Sequence, residues 1–96
     1  MQGFNQLNKA FDSRVRLGLM SILVVNDWVS YKDIKENLSL TDGNLASHIK
    51  SLEKAKYINI TKSFIDRKPN TSYSATSRGK IEFKKHIEAL EKLLNN

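Results

Sequence analysis

Cysteine is absent from the 96-residue sequence, and apolar residues do not form long uninterrupted runs. Without cysteine the chain forms no disulfide bond and offers no thiolate to a metal ion, which is typical of the reducing cytosol. The longest apolar stretch, residues 17–25, contains Gly18 and Ser21 and is far too short to span a bilayer. It also follows Asp12 and lacks the basic start and the cleavage site of a signal peptide. We therefore predict a cytoplasmic protein with no membrane partner.

The sequence also lacks the recognisable motifs of enzymes. It contains no G-x-S-x-G, no H-E-x-x-H and no phosphate-binding glycine loop. Its two histidines, His48 and His86, have no histidine neighbour at metal-ligand spacing. His48 flanks an apolar stripe, so a packing role is favoured over a phosphate contact. His86 is expected on a solvated helix. We predict that the chain is not an enzyme and that it holds no metal ion or cofactor.

Acidic residues are scarce in the middle of the chain, so most of the net charge of +6 is concentrated there. Residues 1–42 carry five basic and five acidic side chains, whereas residues 43–69 carry six basic and two acidic ones. Residues 70–96 carry five basic and three acidic side chains. A moderately basic surface can simply keep a protein soluble, but a local cluster of positive charge favours a polyanionic partner. The charge pattern therefore favours nucleic acid.

Residues 40–58 predict an amphipathic helix with a marked start. Thr41 is a suitable N-cap, and the aspartate after it places negative charge at the positive end of the helix dipole. Leu45, Ile49 and Leu52 are spaced four and three apart and share one apolar face. The opposite face is small and polar at its start and basic further on, so it suits a major groove, although ordinary surface helices are also amphipathic. The candidate DNA contacts on this reading helix are Thr41, Gly43, Asn44, Ser47, His48, Lys50, Ser51 and Lys54.

A pattern of period two follows the reading helix. Apolar and polar side chains alternate in residues 57–64, which predicts a half-buried strand. Residues 66–70 form a basic turn that contains the only proline, and residues 71–75 are a second β-prone stretch that closes a hairpin. A reading helix followed directly by a hairpin with a basic tip is the winged-helix arrangement, a variant of helix-turn-helix. The candidate DNA contacts on this wing are Arg67, Lys68 and Asn70.

Two sequence strings resemble those of known regulators. The string S-H-I-K-S-L-E-K-A-K-Y-I, residues 47–58, is similar to the recognition-helix pattern of MarR- and ArsR-type bacterial regulators. T-D-G-N-L-A-S-H, together with F-I-D-R-K-P-N-T-S-Y, resembles a branch of small single-domain winged-helix transcriptional regulators, and the resemblance covers residues 14–94. It implies a mostly α, α+β fold with a wing of two or three strands, and binding of double-stranded DNA. Some related regulators sense metals or small molecules, and the effector here is unknown.

The chain departs from the resembled family at Lys56, where a glycine usually follows the helix-ending alanine. A lysine at this position either adopts a left-handed conformation, which costs about 1 kcal/mol, or ends the helix differently. The sequence does not decide between these two ways of ending the reading helix.

The first half of the chain predicts three elements before the reading helix. Phe4, Leu7 and Phe11 share one face of a short first helix, and Ser13 caps a second helix that ends at residues 26–27. Trp28 is expected in the core, because a lone tryptophan has no aromatic stacking partner, and it begins a β-prone piece that can join the hairpin as a third strand. Residues 30–33 resemble a capping box and open the short helix of a helix-turn-helix that spans residues 34–49.

The C-terminal residues predict a last helix that starts at Thr76 or Ser77. The chain is expected to form one domain, residues 1–96, with a core in residues 12–76 and a C-terminal helix in residues 77–94. Apolar residues at spacings of four, three and four form a heptad-like stripe that either packs on its own domain or pairs with a second subunit. The predicted dimer interface consists of Phe4, Leu7, Phe11, Phe83, Ile87, Leu90 and Leu94.

The sequence thus predicts a sequence-specific double-stranded DNA-binding transcriptional regulator that acts as a homodimer. The alternative is a winged-helix module whose outer face binds another protein. Acidic residues on the reading face would favour that alternative, and the start of the reading helix carries only Asp42.

Overall fold

The computed structural model describes residues 3–95. Within them, four α-helices surround a three-stranded antiparallel sheet of order β1-β3-β2. The helices are α1 (Arg14–Leu23), α2 (Tyr31–Leu38), α3 (Asp42–Lys54) and α4 (Ser77–Leu94), and the strands are β1 (Val29–Ser30), β2 (Ile58–Ile65) and β3 (Lys68–Ala75). None of these helices is both long enough and apolar enough to cross a membrane. The predicted winged helix-turn-helix, mostly α with a three-stranded wing, is confirmed.

Each α-helix begins with a hydroxyl side chain at its N-cap. Ser13 accepts a hydrogen bond from the amide of Arg16, and Ser30 accepts one from the amide of Asp33. Thr41 and Thr76 cap α3 and α4 in the same way. These bonds satisfy amides that the first helical turn leaves free, so the short polar residues fix where each helix starts.

The exit of α3 is the left-handed one. Lys56 has φ 64°, its amide donates to the carbonyl of Glu53 at 2.9 Å, and the amide of Tyr57 donates to the carbonyl of Leu52 at 3.0 Å. This pair of bonds is a Schellman motif, and it ends the helix sharply. Ser39, with φ 52°, ends α2 with the same motif. Lys56 therefore adopts a left-handed backbone conformation, which costs more free energy for lysine than for glycine.

The wing turn is shorter than the sequence predicts. Only Asp66 and Arg67, with φ of 51° and 66°, lie between β2 and β3. Two residues at positive φ match the twist of the paired strands, which makes a two-residue hairpin possible without glycine. Residues 68–70 therefore belong to β3. Pro69 fits there because β1 pairs with β3 only at Tyr73 and Ser72, so the missing amide of Pro69 leaves no ladder bond unmade on that side.

The core lies between α1, α3, α4 and the inner face of the sheet. It is built from α1, from the three apolar residues of α3, and from side chains at the base of the hairpin. The fully buried large side chains are Phe11, Leu19, Met20, Leu23, Ile34, Leu45 and Leu52.

The N-terminal segment is not one amphipathic helix, and this prediction is wrong. It forms two short 3-10 helices, Phe4–Gln6 and Lys9–Phe11, separated by extended residues. Asn8 causes the break, because its side chain caps the second 3-10 helix by accepting from the amide of Ala10 at 2.8 Å. The apolar residues at spacings of three and four therefore lie in a segment that packs against α4, and not on one helix face.

His86 is buried, so its predicted place on a solvated helix face is wrong. Its Nδ1 accepts a hydrogen bond from the Asn8 amide at 3.0 Å, and the Phe11 ring packs against the imidazole with centroids 5.4 Å apart. Burial lowers the pKa of His86 from its usual value, while nearby Asp12 raises it by a smaller amount. The neutral imidazole is thus an internal acceptor that joins α4 to the N-terminal segment.

Trp28 is 51% exposed and does not belong to the core, contrary to prediction. Successive side chains of a strand point to opposite faces, and Val29, which pairs with Tyr73, occupies the inward position. In addition α1 ends at Leu23, before the predicted residues 26–27.

Gly79 provides a stability test of this packing. A Cβ at Gly79 would lie inside the van der Waals contact distance of the Tyr57 carbonyl oxygen, whereas a Cβ at Gly43 would meet nothing within 4 Å. We expect Gly79→Ala to lower the free energy of unfolding by about 2–3 kcal/mol, because backbone must move to make room. Gly43→Ala, the matched control, should raise it by up to about 1 kcal/mol through helix propensity. Urea unfolding followed by circular dichroism measures both, and equal effects would refute the assigned contact.

Candidate nucleic-acid interface

The polar face of α3 is fully presented to solvent. Leu45, Ile49 and Leu52 are buried on one side of the helix, so the opposite side faces outward. Gly43, Asn44, Ser47, Lys50, Ser51 and Lys54 are all exposed. Because these residues recur three and four apart, they form one continuous surface along the helix. These six residues of the predicted reading face are therefore accessible to a partner.

The hydroxyl groups on this face keep their acceptor capacity. The Ser47 hydroxyl donates to the carbonyl of Asn44 at 3.1 Å, and the Ser51 hydroxyl donates to the carbonyl of Ser47 at 3.3 Å. Each bond is to the helix backbone and at an exposed position, so the hydroxyl can rotate to meet another partner. Thr41 differs, because its oxygen already accepts from the amide of Asn44 as the helix cap. The first role of Thr41 is to position α3.

The start of α3 is tied to α2 by a polar cluster. The ammonium of Lys35 lies 3.0 Å from the Asp42 carboxylate, and the Tyr31 hydroxyl donates to the same carboxylate at 3.0 Å. The hydrogen bond from Lys35 and then that from Tyr31 hold the pKa of Asp42 below its usual value. These exposed contacts join the two helices of the helix-turn-helix at the protein surface. Sequence reasoning assigned no role to Tyr31 or Lys35, since residues 11 and 7 positions apart give no local signal.

His48 has a partner within the domain. An Nη1 atom of Arg16 lies 3.0 Å from His48 Nδ1, and the Nε of Arg16 donates to the carbonyl of Ala10 at 2.6 Å. A guanidinium only donates, so the histidine nitrogen facing it is an acceptor and the ring is neutral. Burial, and then the Arg16 charge, lower the pKa of His48. Of the two roles considered for His48, the geometry favours packing, and the charge at this flank of α3 is carried by Arg16.

The three wing candidates lie in different environments. Arg67 occupies the turn and Lys68 begins β3, and both are exposed. Asn70 is half-buried, and its amide donates to the hydroxyl of Ser72 at 3.0 Å. Alternation along β3 places Lys68, Asn70 and Ser72 on the outer face of the wing, away from α3. Of the three candidates, only Arg67 lies in the turn at the tip of the wing.

A groove runs between α3 and the inner face of the wing, and sequence reasoning did not identify it. Its residues are Tyr31, Ala46, Ile49, Lys50, Glu53, Ile60, Lys62, Thr71 and Tyr73. Lys62 pairs with Thr71 across the two strands and lines the groove together with Lys50 of α3. The alternation from Ile58 through Ile60 to Lys62 was the available signal, because it assigns all three residues to one face.

The predicted dimer residues divide into two groups. Phe11 and Phe83 are only 2% and 6% exposed and pack against each other at 5.2 Å between ring centroids, so they belong to the core of their own domain. By contrast Phe4 is 53% and Leu94 is 83% exposed. Leu7, Ile87 and Leu90 are half-buried. Five of the seven candidates therefore have surface available to a second subunit, and the two core phenylalanines do not.

In the part of the chain that the structure describes, no three histidine, aspartate or glutamate side chains group so that they could hold a metal ion. The geometry instead offers an exposed polar helix face, a basic hairpin tip and a groove between them. These are features of a surface that binds an extended polyanion.

Comparisons with known proteins agree with this geometry. A family model described as a winged helix DNA-binding domain matches residues 15–94. An uncharacterized protein of Methanocaldococcus jannaschii is 34% identical over 88 residues, which cover 92% of this chain and 96% of that protein. The similarity therefore extends over nearly the full length of both chains.

Solved structures show the same fold. A transcriptional regulator homologue from Pyrococcus horikoshii superposes with a TM-score of 0.85 at 32% identity, over 92% of this chain and 87% of that one. A putative transcriptional regulator of the MarR family from Porphyromonas gingivalis superposes with a TM-score of 0.68 at 19% identity, over 92% and 85% of the two chains. The resemblance to winged-helix regulators that the sequence predicts is thus confirmed: the chain belongs to the winged helix DNA-binding domain family.

Proposed function

We propose that this protein is a sequence-specific double-stranded DNA-binding transcriptional regulator that acts as a homodimer. The observation that carries the proposal is the exposed face of α3. It begins with Gly43 and Asn44, continues through Ser47, and ends with lysines. Small side chains allow the helix backbone to approach base edges, amide and hydroxyl groups can read those edges, and lysines bind phosphates.

The wing supports the same proposal from a second element. Arg67 and Lys68 place two positive charges at the end of a hairpin that extends beyond the core. The two-residue turn follows directly on the last cross-strand pair, Ile65 and Lys68, so these charges lie at the end of the paired strands. We assign the wing to backbone or minor-groove contacts and α3 to base edges in the major groove.

The homodimer is supported by apolar surface near both ends of the chain. Phe4, Leu7 and Leu90 line one open cavity, and Leu94 lies one helical turn beyond Leu90 with 83% of its surface exposed. Monomers rarely leave such apolar surface in water. Two-fold pairing through α4 and the N-terminal segment would cover it and place the two α3 helices about 34 Å, one DNA turn, apart. The binding site would then be nearly palindromic.

DNA binding is tested on duplexes that the protein selects from a random pool. If each subunit neutralises about three to five phosphates, the affinity of the dimer should fall with the logarithm of salt concentration with a slope of about −5 to −9.

Ser47→Ala should relax base preference at one step, by about 1–3 kcal/mol for a good contact. Arg67→Ala should weaken binding to all duplexes alike and reduce the slope. Fluorescence anisotropy at several salt concentrations measures all three.

Lys84→Ala is the matched control, because Lys84 is an exposed lysine on α4 and not on the proposed DNA surface. Its slope and its base preference should equal those of the unaltered chain. The proposal fails if the salt response is flat, or if an acidic protein competes as well as duplex DNA, which would support a protein-binding module instead. The division of roles fails if Arg67→Ala redirects base preference while Ser47→Ala leaves it intact.

The dimer is tested by sedimentation equilibrium of the full chain. We expect a dimer at micromolar concentrations, and Leu94→Glu should shift the equilibrium to monomer, because a charge would be buried at the interface. The substitution should leave the fold intact, since Leu94 is exposed in the single chain. Lys85→Glu, on the opposite side of α4, is the control and should stay dimeric. A monomer at tens of micromolar for the unaltered chain would refute the proposal.

A further inference from the structure

The tip of the wing carries two large apolar side chains that the fold does not use. Phe64 is 76% exposed and Ile65 is 57% exposed, although both lie in the regular strand β2. Neither side chain belongs to the core cluster. Their apolar surface therefore adds little to the stability of this domain, because stabilisation scales with the area removed from water.

The two side chains lie on opposite faces of the wing. Phe64 pairs across the hairpin with Pro69, and alternation places this pair on the same face as Lys62 and Thr71. Ile65 pairs with Lys68 on the outer face. Only the Phe64–Pro69 pair thus continues the inner face that borders the groove beside α3.

The groove and the Phe64–Pro69 pair form one path along the inner face of the wing. Lys50 from α3 and Lys62 from β2 both line the groove, together with one carboxylate, that of Glu53. Phe64 follows Lys62 by two residues, or about 7 Å along the strand. Beyond it the turn carries Arg67 next to the carboxylate of Asp66, and Lys68 lies on the outer face. The apolar pair therefore lies between two sources of positive charge.

This sequence of charges complements a nucleic-acid strand. A DNA strand presents phosphates at regular intervals with deoxyribose between them, and the sugar offers C–H surface to an apolar partner. Phenylalanine and proline are side chains that proteins use for apolar contacts with the DNA minor groove. A protein partner would have to supply acidic groups on both sides of an apolar one, which is a more demanding requirement.

We propose that the inner face of the wing binds one DNA strand, with Phe64 and Pro69 packed against deoxyribose and Lys50 and Lys62 bound to the phosphates beside it. This inference rests on the proposed DNA-binding function and assigns a new part of the surface to it. Sugar and phosphate contacts carry no base information, so Phe64 contributes affinity to every duplex alike.

The salt dependence of binding separates the two kinds of contact. Counterion release depends only on the number of phosphates neutralised, so an apolar contact changes affinity without changing the slope. Phe64→Thr should weaken binding about tenfold at every salt concentration, on selected and scrambled duplexes alike, with the slope unchanged. Phe64→Leu should stay within about threefold of the unaltered chain because it keeps apolar surface. Lys62→Ala should reduce the slope by about 1 per subunit.

Ile65→Thr is the matched control, since it removes a similar apolar side chain from the neighbouring position on the outer face. Threonine keeps the β propensity of the strand in both variants, and thermal unfolding followed by circular dichroism should give the same midpoint for each. We expect Ile65→Thr to bind duplexes like the unaltered chain. Hydroxyl-radical footprinting of the selected duplex should show deoxyribose protection beside the α3 footprint that Phe64→Thr loses.

Three results would overturn the inference while leaving the proposed function intact. They are unchanged affinity in Phe64→Thr, an equal loss in Phe64→Thr and Ile65→Thr, and a changed salt slope in Phe64→Thr. A flat salt response of the unaltered chain would overturn the proposed function and this inference together.

Discussion

The position of α3, the helix that we propose faces DNA, depends on Tyr57, the residue at which three parts of the domain meet. Its amide closes the Schellman motif that ends α3, and its carbonyl accepts the amide of Thr76 at the start of α4. Its ring packs against Phe11 with centroids 5.3 Å apart, and its hydroxyl accepts a hydrogen bond from the side chain of Asn8 at 3.0 Å. One buried residue thus connects α3 with α4 and with the N-terminal segment. The surface proposed for the second subunit and the surface proposed for DNA are therefore parts of one rigidly packed unit.

Four non-glycine residues at positive φ lie at the borders of the proposed DNA surface. Ser39 and Lys56 end α2 and α3, and Asp66 and Arg67 form the wing turn. Glycine would adopt these conformations at lower cost, by about 1 kcal/mol each. Lys56 and Arg67 carry positive charge that glycine would remove. At these two positions the chain combines a strained backbone with a basic side chain, which is consistent with a surface that serves binding more than stability.

The sequence by itself determined the elements whose causes are local. Hydroxyl caps at Ser13, Ser30 and Thr41 mark helix starts because the bonded amide lies only three residues away. The apolar spacing of α3 and the alternation along β2 distinguish helix from strand, because each element buries one face. The charge excess in residues 43–69 is likewise a property of composition. Together these local signals were sufficient to predict a winged helix and the reading face of α3.

Only the tertiary structure decided which apolar or polar side chains are buried, because the residues that bury them are distant in the sequence. Phe11 and Phe83 become core because the N-terminal segment wraps around α4, and His86 is buried by Asn8, which lies 78 positions away. Trp28 stays exposed because the partner strand fixes which of two alternating faces is inward. The groove beside α3 arises in the same way, since its two sides come from the reading helix and the wing. A spacing pattern defines a face, but the fold determines what that face meets.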